Sequence, residues 1–333
     1  MVVLCVDLVW RDDEKKTHWI PGLALIGLGL AMAATILLWG TTPTTVLAMM
    51  AVDPFALFFK IVAIACVMLV ILAAVPYLQG RTRYRGEFYS LLVFACLAIS
   101  LASSAINLIS VYLAMEFLSI TSYVLAGYLR DDKKSNEAGI KYFLYGAVTS
   151  AAMLYGMSLL YGATGTTNLS LISQLLMVGE ESIQWLAVAA LVPLLAGFAF
   201  KIVLAPFHLW APDAYEAAPV SSAAFIASAS KVASFFVLAR VLLTGFAPAD
   251  GSAGFQGFVA GWAPLVAVIA ALSIIVGNLA ALAQKNLRRL LAYSAVAHAG
   301  YTLIGLLGGG PGGYSAVIFY ATTYAITILG AFG

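Results

Sequence analysis

The sequence predicts an all-α polytopic membrane protein, for three reasons. Of its 333 residues, 63% are hydrophobic and only 10% are charged, whereas soluble domains carry about 25% charged residues. Apolar runs of about 20 residues, enough to cross a hydrocarbon core, recur along the whole chain. These runs are too long and too uniform for barrel strands, so the backbone polar groups in lipid must be paired within helices.

About eleven crossings are predicted. The first is an apolar stub, Met1 to Trp10, which we expect to be the end of a helix whose beginning is missing. The chain also stops within an apolar run at Gly333, so we expect the sequence to be cut inside a helix. The segment 162–182 is either a short surface helix or a loop. The other spans are predicted near 19–39, 54–76, 88–107, 109–129, 138–161, 183–204, 219–244, 257–283, 290–307 and 314–333.

Loop charge alternates along the chain, and basic loops are expected to face the cytoplasm. The loops near 40–53, 162–182, 245–256 and 308–313 contain no Lys or Arg. The turn after the seventh crossing is an exception, because it holds Asp213 and Glu216 but no basic residue. The basic loops contain Arg11, Lys15 and Lys16; Arg81, Arg83 and Arg85; Arg130, Lys133 and Lys134; and Lys285, Arg288 and Arg289.

Several classes of site are not expected in this chain. The net charge of +2 gives no reason to expect a nucleic-acid partner. Cys5, Cys66 and Cys96 are too far apart for a disulfide framework or a Cys-x-x-Cys metal site. Apart from His18 in the first loop, the histidines are His208 and His298, which do not suggest paired haem ligands. No iron–sulfur, flavin or dinucleotide motif is present, so we expect the chain to bind no metal or cofactor.

Four ionisable side chains stand out in the predicted spans, because an ionisable residue near the bilayer centre costs about 2.5 to 3.5 kcal/mol. Lys60 is about two turns into its span, and the favoured interpretation is a lysine that reaches the interface. Glu116 shares a helix face with Tyr112, Ser119 and Tyr123. It is a candidate for handling protons, and a structural salt bridge is the alternative.

The two other lysines are candidates for proton translocation. Lys201 precedes Pro206, Pro212 and Pro219, which predict a discontinuous span around a hydrated cavity. A lysine that snorkels at a helix end is the alternative. Lys231 lies deep in its span, where moving a charge partner would load or release its proton. Ser228 and Ser234 lie three residues before and after Lys231, and a purely structural lysine is the alternative there.

Three further residues are possible proton relays. His208 lies in the proline-rich segment, and His298 shares a helix face with Ser294 and Tyr301. Histidine titrates in the physiological range, although a structural histidine is the alternative at both positions. Lys141, beside Tyr142 and Tyr145, is a candidate for proton uptake from the inner side or, alternatively, an ordinary surface lysine.

Three long motifs resemble a known family. They are PFHLWAPDAYEAAP (206–219), ASKVASFFVLAR (229–240) and NLAALAQKNLRRLLAYSAVAHAGY (278–301). They are similar to the antiporter-like subunits of proton-pumping NADH:quinone oxidoreductase, respiratory complex I. Tyr215-Glu216 and the Ala-Gln-Lys before Arg288 are most similar to subunit N.

The resemblance implies an antiporter-like bundle of inverted five-helix repeats, each with a broken helix and a central lysine. Glu116 would pair with Lys201 of the broken helix, Lys231 would be the central lysine and His298 a relay. The implied divisions are N-terminal helices at 1–87, a first repeat at 88–244 broken near 201–218, and an incomplete second repeat at 245–333. Family members have about fourteen spans, so the second broken helix would lie beyond Gly333.

The resemblance also implies a function. The chain would be a proton-translocating subunit in an energy-transducing membrane, expected to be a bacterial plasma membrane. Its partners would be the lipid bilayer and the other membrane subunits, while NADH, FMN, iron–sulfur clusters and quinone would belong to partner subunits. The alternatives are a subunit of a multisubunit cation/proton antiporter, a subunit of a membrane-bound hydrogenase, or a non-conducting scaffold.

Overall fold

The computed structural model describes residues 2–10, 19–179, 181–254 and 257–333. These residues form thirteen helices and two short β-hairpins, joined by turns and loops. The hairpins are β1 (Thr44–Val46) with β2 (Met50–Val52), and β3 (Ser252–Gly254) with β4 (Gly257–Val259). The helices are α1 (Val2–Trp10), α2 (Ile20–Leu37), α3 (Pro54–Leu78), α4 (Arg85–Ser104), α5 (Leu108–Ala126), α6 (Lys133–Thr164), α7 (Leu169–Val178), α8 (Glu181–Ile202), α9 (Ala211–Ala217), α10 (Val220–Gly245), α11 (Trp262–Leu282), α12 (Leu287–Leu307) and α13 (Gly310–Phe332).

Ten of the described helices are long and apolar enough to cross a membrane, and they coincide with the ten full-length predicted spans. The predicted all-α polytopic fold is therefore confirmed. The largest boundary errors are at the predicted starts 138 and 257. Helix α6 begins earlier than predicted, at Lys133, because the Asp132 side chain caps it by accepting a hydrogen bond from the Lys134 N–H. Helix α11 begins later than predicted, at Trp262, because the hairpin of β3 and β4 occupies the residues before it.

Two shorter segments refine the prediction. The stub forms α1, whose nine residues rise about 13 Å, less than half of a hydrocarbon core. Of the two alternatives for 162–182, a short helix or a loop, the structure shows the helix, α7. The Asn168 side chain caps this helix, which buries Leu169, Ile172 and Leu176 on one face. The predicted basic run Arg11 to Lys16 lies outside the described residues, as does His18.

Small residues bring helices close together. A Cβ added at Gly277 on α11 would lie 2.5 Å from the backbone nitrogen of Ala297 on α12. On the neighbouring pair, a Cβ at Gly156 of α6 would lie 2.7 Å from the Ala190 carbonyl of α8. Backbones that pack this closely gain van der Waals contact, which membrane helices use in place of the hydrophobic effect.

An ion pair joins the N-terminal helices to α10. Buried Arg240 donates from Nη1 to Asp53 Oδ2 at 2.8 Å and from Nη2 to Asp53 Oδ1 at 2.9 Å. The same carboxylate caps α3 by accepting from the Ala56 N–H at 2.7 Å, and the guanidinium lies 4.7 Å from the centre of the Phe55 ring. Lys60, half-buried on α3, lies within electrostatic range of Asp53. Sequence analysis missed this pair, because its members are 187 residues apart.

Removing the Asp53 charge should destabilise the protein. Burial raises the pKa of Asp53, but hydrogen bonds from Arg240 and Ala56 outweigh it and hold the pKa below its ordinary value of 3.8. Asp53→Asn keeps a helix cap but leaves Arg240 without a counter-ion, which should cost about 3 kcal/mol, the lower end of the range for buried pairs because Asp53 is partly exposed. The measurement is thermal unfolding of the purified protein at neutral pH.

The pH dependence gives a second readout of the same contact. A depressed carboxyl pKa contributes stability above pH 3.8 that is lost as the pH falls through the lower folded-state value. The Asp53→Asn variant should lack this part of the acid transition. Asp250→Asn, at an exposed carboxylate, is the control. Equal stability of all three proteins at neutral pH would contradict the assignment.

Candidate functional site

The break between α8 and α9 creates the irregular centre of the bundle. Helix α8 ends at Ile202, and Val203 adopts a φ of 68°, in the left-handed region that β-branched residues rarely enter. Pro206 has no N–H to continue a helix. The free N–H of Ala205 donates instead to Ser273 Oγ at 3.0 Å. The predicted discontinuous span is therefore confirmed.

Lys201 lies at the end of α8 with its side chain buried in the bundle. Its Nζ donates to Tyr142 Oη at 3.2 Å. The ammonium also lies 5.6 Å and 5.4 Å from the ring centres of Tyr123 and Tyr142. A lysine that snorkels would carry its charge to the interface, so this buried geometry does not fit that alternative.

Glu116 is half-buried on α5, and its Oε1 accepts a hydrogen bond from Ser150 Oγ on α6. Its expected neighbours Ser119 and Tyr123 are buried on the same face of the helix. Glu116 lies within electrostatic range of Lys201, but the two do not form an ion pair within 4.0 Å in the described part of the chain. The implied pair is therefore a longer-range interaction here.

Lys231 is fully buried in the middle of α10, directly after a π-helical turn at Ile226–Ser230. Single π turns inside α-helices are frequent at functional sites. Its Nζ donates to the Ala295 carbonyl of α12 and lies 4.8 Å from the ring centre of Tyr324. The serines three residues away do not supply its hydrogen bonds. Ser228 donates to the Ala224 carbonyl at 2.6 Å and Ser234 to the Ser230 carbonyl at 2.8 Å.

His298 belongs to the same group of side chains as Lys231. Its Nδ1 lies 2.6 Å from Tyr320 Oη, and its ring centre lies 4.7 Å from that of Tyr324. Tyr324 thus contacts both the lysine and the histidine. A cavity of about 370 Å³ adjoins His298, with Ser294, Tyr320 and Tyr324 among its lining residues. The structure therefore brings Lys231 and His298 together.

The other two relay candidates lie near the broken segment. His208 is buried, with its ring centre 6.2 Å from that of Tyr293. Lys141 is partly exposed and pairs with Glu137 at 2.7 Å and with Asp213 at 2.8 Å. It therefore connects α6 to α9.

Lys141, Asp213, Glu216 and Arg289 form an ion-pair network around α9. Arg289 Nη1 lies 2.6 Å from Asp213 Oδ1 and 3.0 Å from Glu216 Oε2. In addition, Arg288 Nη1 donates to the Glu216 carbonyl at 2.9 Å. These contacts explain why the turn after the seventh predicted crossing is acidic and has no basic residue of its own. Its carboxylates bind basic side chains that α6 and α12 provide.

Sequence analysis missed four polar residues that contact the candidate site. Tyr142 was noted only as a neighbour of Lys141, although it accepts the hydrogen bond from Lys201. Ser150, Tyr320 and Tyr324 were not singled out. The spacing of Tyr320 and Tyr324, four residues apart in an apolar run, places them on one helix face and was the available signal. Ser150 gave no comparable signal.

In the part of the chain that the structure describes, no three His, Cys, Asp or Glu side chains are grouped so that they could hold a metal ion. Cys66 and Cys96 are buried and Cys5 is exposed, and all three are free thiols.

Comparison with known proteins identifies the family. A family model described as "NADH:quinone oxidoreductase/Mrp antiporter, TM" matches residues 105–333. The chain belongs to this family. It is an integral membrane protein of an energy-transducing membrane, with an antiporter-like helical bundle.

Individual members of the NADH:quinone oxidoreductase/Mrp antiporter family show how far the likeness extends. NADH-quinone oxidoreductase subunit N 2 of Acidobacterium capsulatum is 48% identical over 260 residues, which are 77% of this chain and 52% of that protein. The chain thus spans about half the length of that relative.

Two solved structures share the fold. A chain of respiratory complex I from Thermus thermophilus with bound aureothin is 35% identical, with a TM-score of 0.77, and the match covers 99% of this chain and 69% of that one. A chain of the Mrp complex from Dietzia has a TM-score of 0.82 at 21% identity and covers 99% and 62%, which establishes a common fold only.

Neutralising Asp213 should loosen the broken segment. Burial raises the pKa of Asp213, but hydrogen bonds from Lys141 and Arg289 outweigh it and hold the pKa below its ordinary value. The carboxylate is therefore charged at neutral pH, and Asp213→Asn removes two ion pairs from α9. Hydrogen exchange of the 203–217 amides should rise about tenfold, equivalent to roughly 1.4 kcal/mol.

Asp131→Asn is the matched control, because it removes an exposed carboxylate from a loop and should leave exchange at 203–217 unchanged. Acidification should reproduce the effect of Asp213→Asn in the unmodified protein. The extra exchange should appear as the pH falls through the depressed pKa of Asp213. Identical exchange in the Asp213→Asn and unmodified proteins would show that the ion-pair network does not hold α9.

Proposed function

We propose that this chain is a proton-translocating membrane subunit of an NADH:quinone oxidoreductase. The observation that carries the proposal is the pair of buried lysines, Lys201 and Lys231, on either side of the broken segment at 203–217. Neither ammonium has an ion pair within 4.0 Å among the described residues. A buried amine without a contacting counter-ion binds or releases a proton when the surrounding charges change.

The assignment to NADH:quinone oxidoreductase is supported by relatives. The 48% identical protein is named as subunit N 2 of that enzyme, and the 35% identical chain belongs to respiratory complex I. The Mrp relative supports the fold alone, so the multisubunit antiporter remains the second candidate. Under the main proposal, NADH, FMN, iron–sulfur clusters and quinone are bound by partner subunits, and this chain contributes no redox group.

The proposed mechanism uses the long-range interaction between Glu116 and Lys201. Redox chemistry in the partner subunits changes the charge or position of groups near Glu116. This change alters how strongly Lys201 holds its proton, and a proton then moves between Lys201 and Lys231. His298, in contact with Tyr324 beside Lys231, accepts the proton on the far side.

The proposed inlet lies near the broken segment. Lys141 is partly exposed and bonded to Asp213, so it is placed to exchange protons with water, and His208 is the second relay candidate in that region. In this scheme the chain divides into N-terminal helices at 1–87, a first repeat at 88–244 and the start of a second repeat at 245–333.

Removing the central amine tests the proposal. Lys231→Ala in the complete protein, within its native membrane complex, should abolish translocation through this subunit. Glu116→Gln should slow translocation about a hundredfold or more, because proton-transfer groups typically contribute rate factors of about 10² to 10⁴. Protons moved per NADH oxidised, measured in sealed vesicles, is the readout. Lys134→Ala, at an exposed lysine, is the control.

Unchanged pumping per electron in the Lys231→Ala complex would refute the role of Lys231. A complex that pumps normally but is less stable after Glu116→Gln would instead support a non-conducting scaffold.

Purification of the intact complex through this chain separates the two family branches. Flavin and iron–sulfur subunits should be recovered with it, whereas recovery of antiporter-like subunits alone would favour the cation/proton antiporter.

A further inference from the structure

Besides that of Tyr123, two buried tyrosine hydroxyls near the lysines have no hydrogen-bond partner among the described residues. Tyr215 on α9 is fully buried, and its Oη is unpartnered. On α13, the Tyr324 ring is partly exposed, but its Oη is buried and also unpartnered. Buried hydroxyls are nearly always hydrogen-bonded, to protein or to ordered water. Each of these hydroxyls is therefore placed to bind an internal water molecule.

The first tyrosine is linked to Lys201 through an aromatic stack. Tyr142, which accepts the hydrogen bond from Lys201, stacks on Trp210 with ring centres 3.8 Å apart and an interplanar angle of 7°. Trp210 and Tyr215 also meet in a T-shaped arrangement, with ring centres 6.4 Å apart. Tyr215 is therefore connected to the Lys201 site through Trp210 and Tyr142.

The second tyrosine belongs to the Lys231 site. The Lys231 ammonium lies over the Tyr324 ring, and the Tyr324 and His298 rings are neighbours. Tyr215 packs against the same helix as Tyr324, because its ring centre lies 5.9 Å from that of Phe332 on α13. The Lys201 and Lys231 sites are thus connected through Tyr215, which contacts α13, and Tyr324, which α13 carries.

Two more unpartnered hydroxyls lie at the start of α10. Ser221 and Ser222 are buried in its first turn, after the broken segment and before Lys231. Ser221 lines a cavity of about 650 Å³ among α3, α10 and α13. A water molecule inside a protein needs two to four polar partners. Buried hydroxyls of this kind provide such partners within an otherwise apolar region.

We infer that Tyr215 and Tyr324 are hydroxyl relays that carry a proton between Lys201 and Lys231 through bound water. This inference rests on the proposed function. The Lys201 ammonium gives one proton to the relay, and the Lys231 amine takes one proton from it. Each hydroxyl on the way accepts a proton on its oxygen as it donates its own. Both tyrosines are neutral before and after the transfer.

A hydroxyl suits this task because it is a donor and an acceptor at once. The lysine ammonium has donors only, so two lysines cannot exchange a proton while both are charged. Phenylalanine retains the ring and its packing but can neither donate nor accept. Tyrosine to phenylalanine substitution therefore separates the relay role from the structural role of the ring.

The experiment uses Tyr215→Phe and Tyr324→Phe in the complete protein, within its native membrane complex in sealed vesicles. Proton translocation coupled to NADH oxidation should slow about tenfold or more in each variant, while the complex still assembles. The solvent deuterium isotope effect on translocation should increase, because proton transfer becomes rate-limiting. Tyr155→Phe, at an exposed tyrosine on α6, is the control and should behave like the unmodified protein.

The double variant tests whether the two tyrosines act in series on one path. Tyr215→Phe combined with Tyr324→Phe should be no slower than the slower single variant, because either change already interrupts the path. Multiplied losses would overturn the series arrangement. If Tyr215→Phe prevents assembly, Tyr324→Phe alone decides through its rate and isotope effect.

Lys231→Ala distinguishes failure of this inference from failure of the proposed function. If Lys231→Ala stops translocation while both phenylalanine variants translocate normally, the tyrosines are not relays and the proposed function stands. If translocation is normal in Lys231→Ala as well, the proposed function fails and the inference fails with it.

Discussion

Two lysine ammonium groups lie inside an apolar bundle, and the rest of the candidate site follows from the cost of keeping them there. A charge within a membrane span costs about 2.5 to 3.5 kcal/mol on insertion scales. Here the charge is offset by a tyrosine hydroxyl at Lys201 and by the Ala295 carbonyl and a tyrosine ring at Lys231. Both lysines adjoin irregular backbone, because α8 breaks after Ile202 and a π turn directly precedes Lys231. The irregular backbone and the buried charges are therefore parts of one arrangement.

Hydropathy and proline placement predicted most of the fold. Lipid permits few backbone arrangements, so long apolar runs indicate helices, and the prolines after Lys201 predicted the break. The partners of the charged groups were not predictable in the same way. Asp53 and Arg240 meet across 187 residues, and no local pattern records a contact between distant helices. Tyr142 was visible in the sequence, but its contact with Lys201 depends on how α6 packs against α8.

The charged residues of the candidate site and of the ion-pair network around α9 form two groups with different surroundings. Lys201 and Lys231 are buried and bonded to uncharged groups, whereas Asp213, Glu216 and Arg289 are partly exposed and bonded to one another. The first group carries the proposed chemistry. The second attaches the short helix α9 to α6 and α12, and so holds in place the segment that carries Tyr215.

Dissolved ions distinguish these two groups. At physiological ionic strength the Debye length is about 8 Å, and partly exposed charges are screened far more than buried ones. Concentrated salt therefore weakens the attachment of α9 through Asp213 and Arg289 and leaves the surroundings of Lys231 almost unchanged. The mobility of the broken segment should thus depend on the electrolyte at the membrane surface, whereas the buried Lys231 site should respond to it far less.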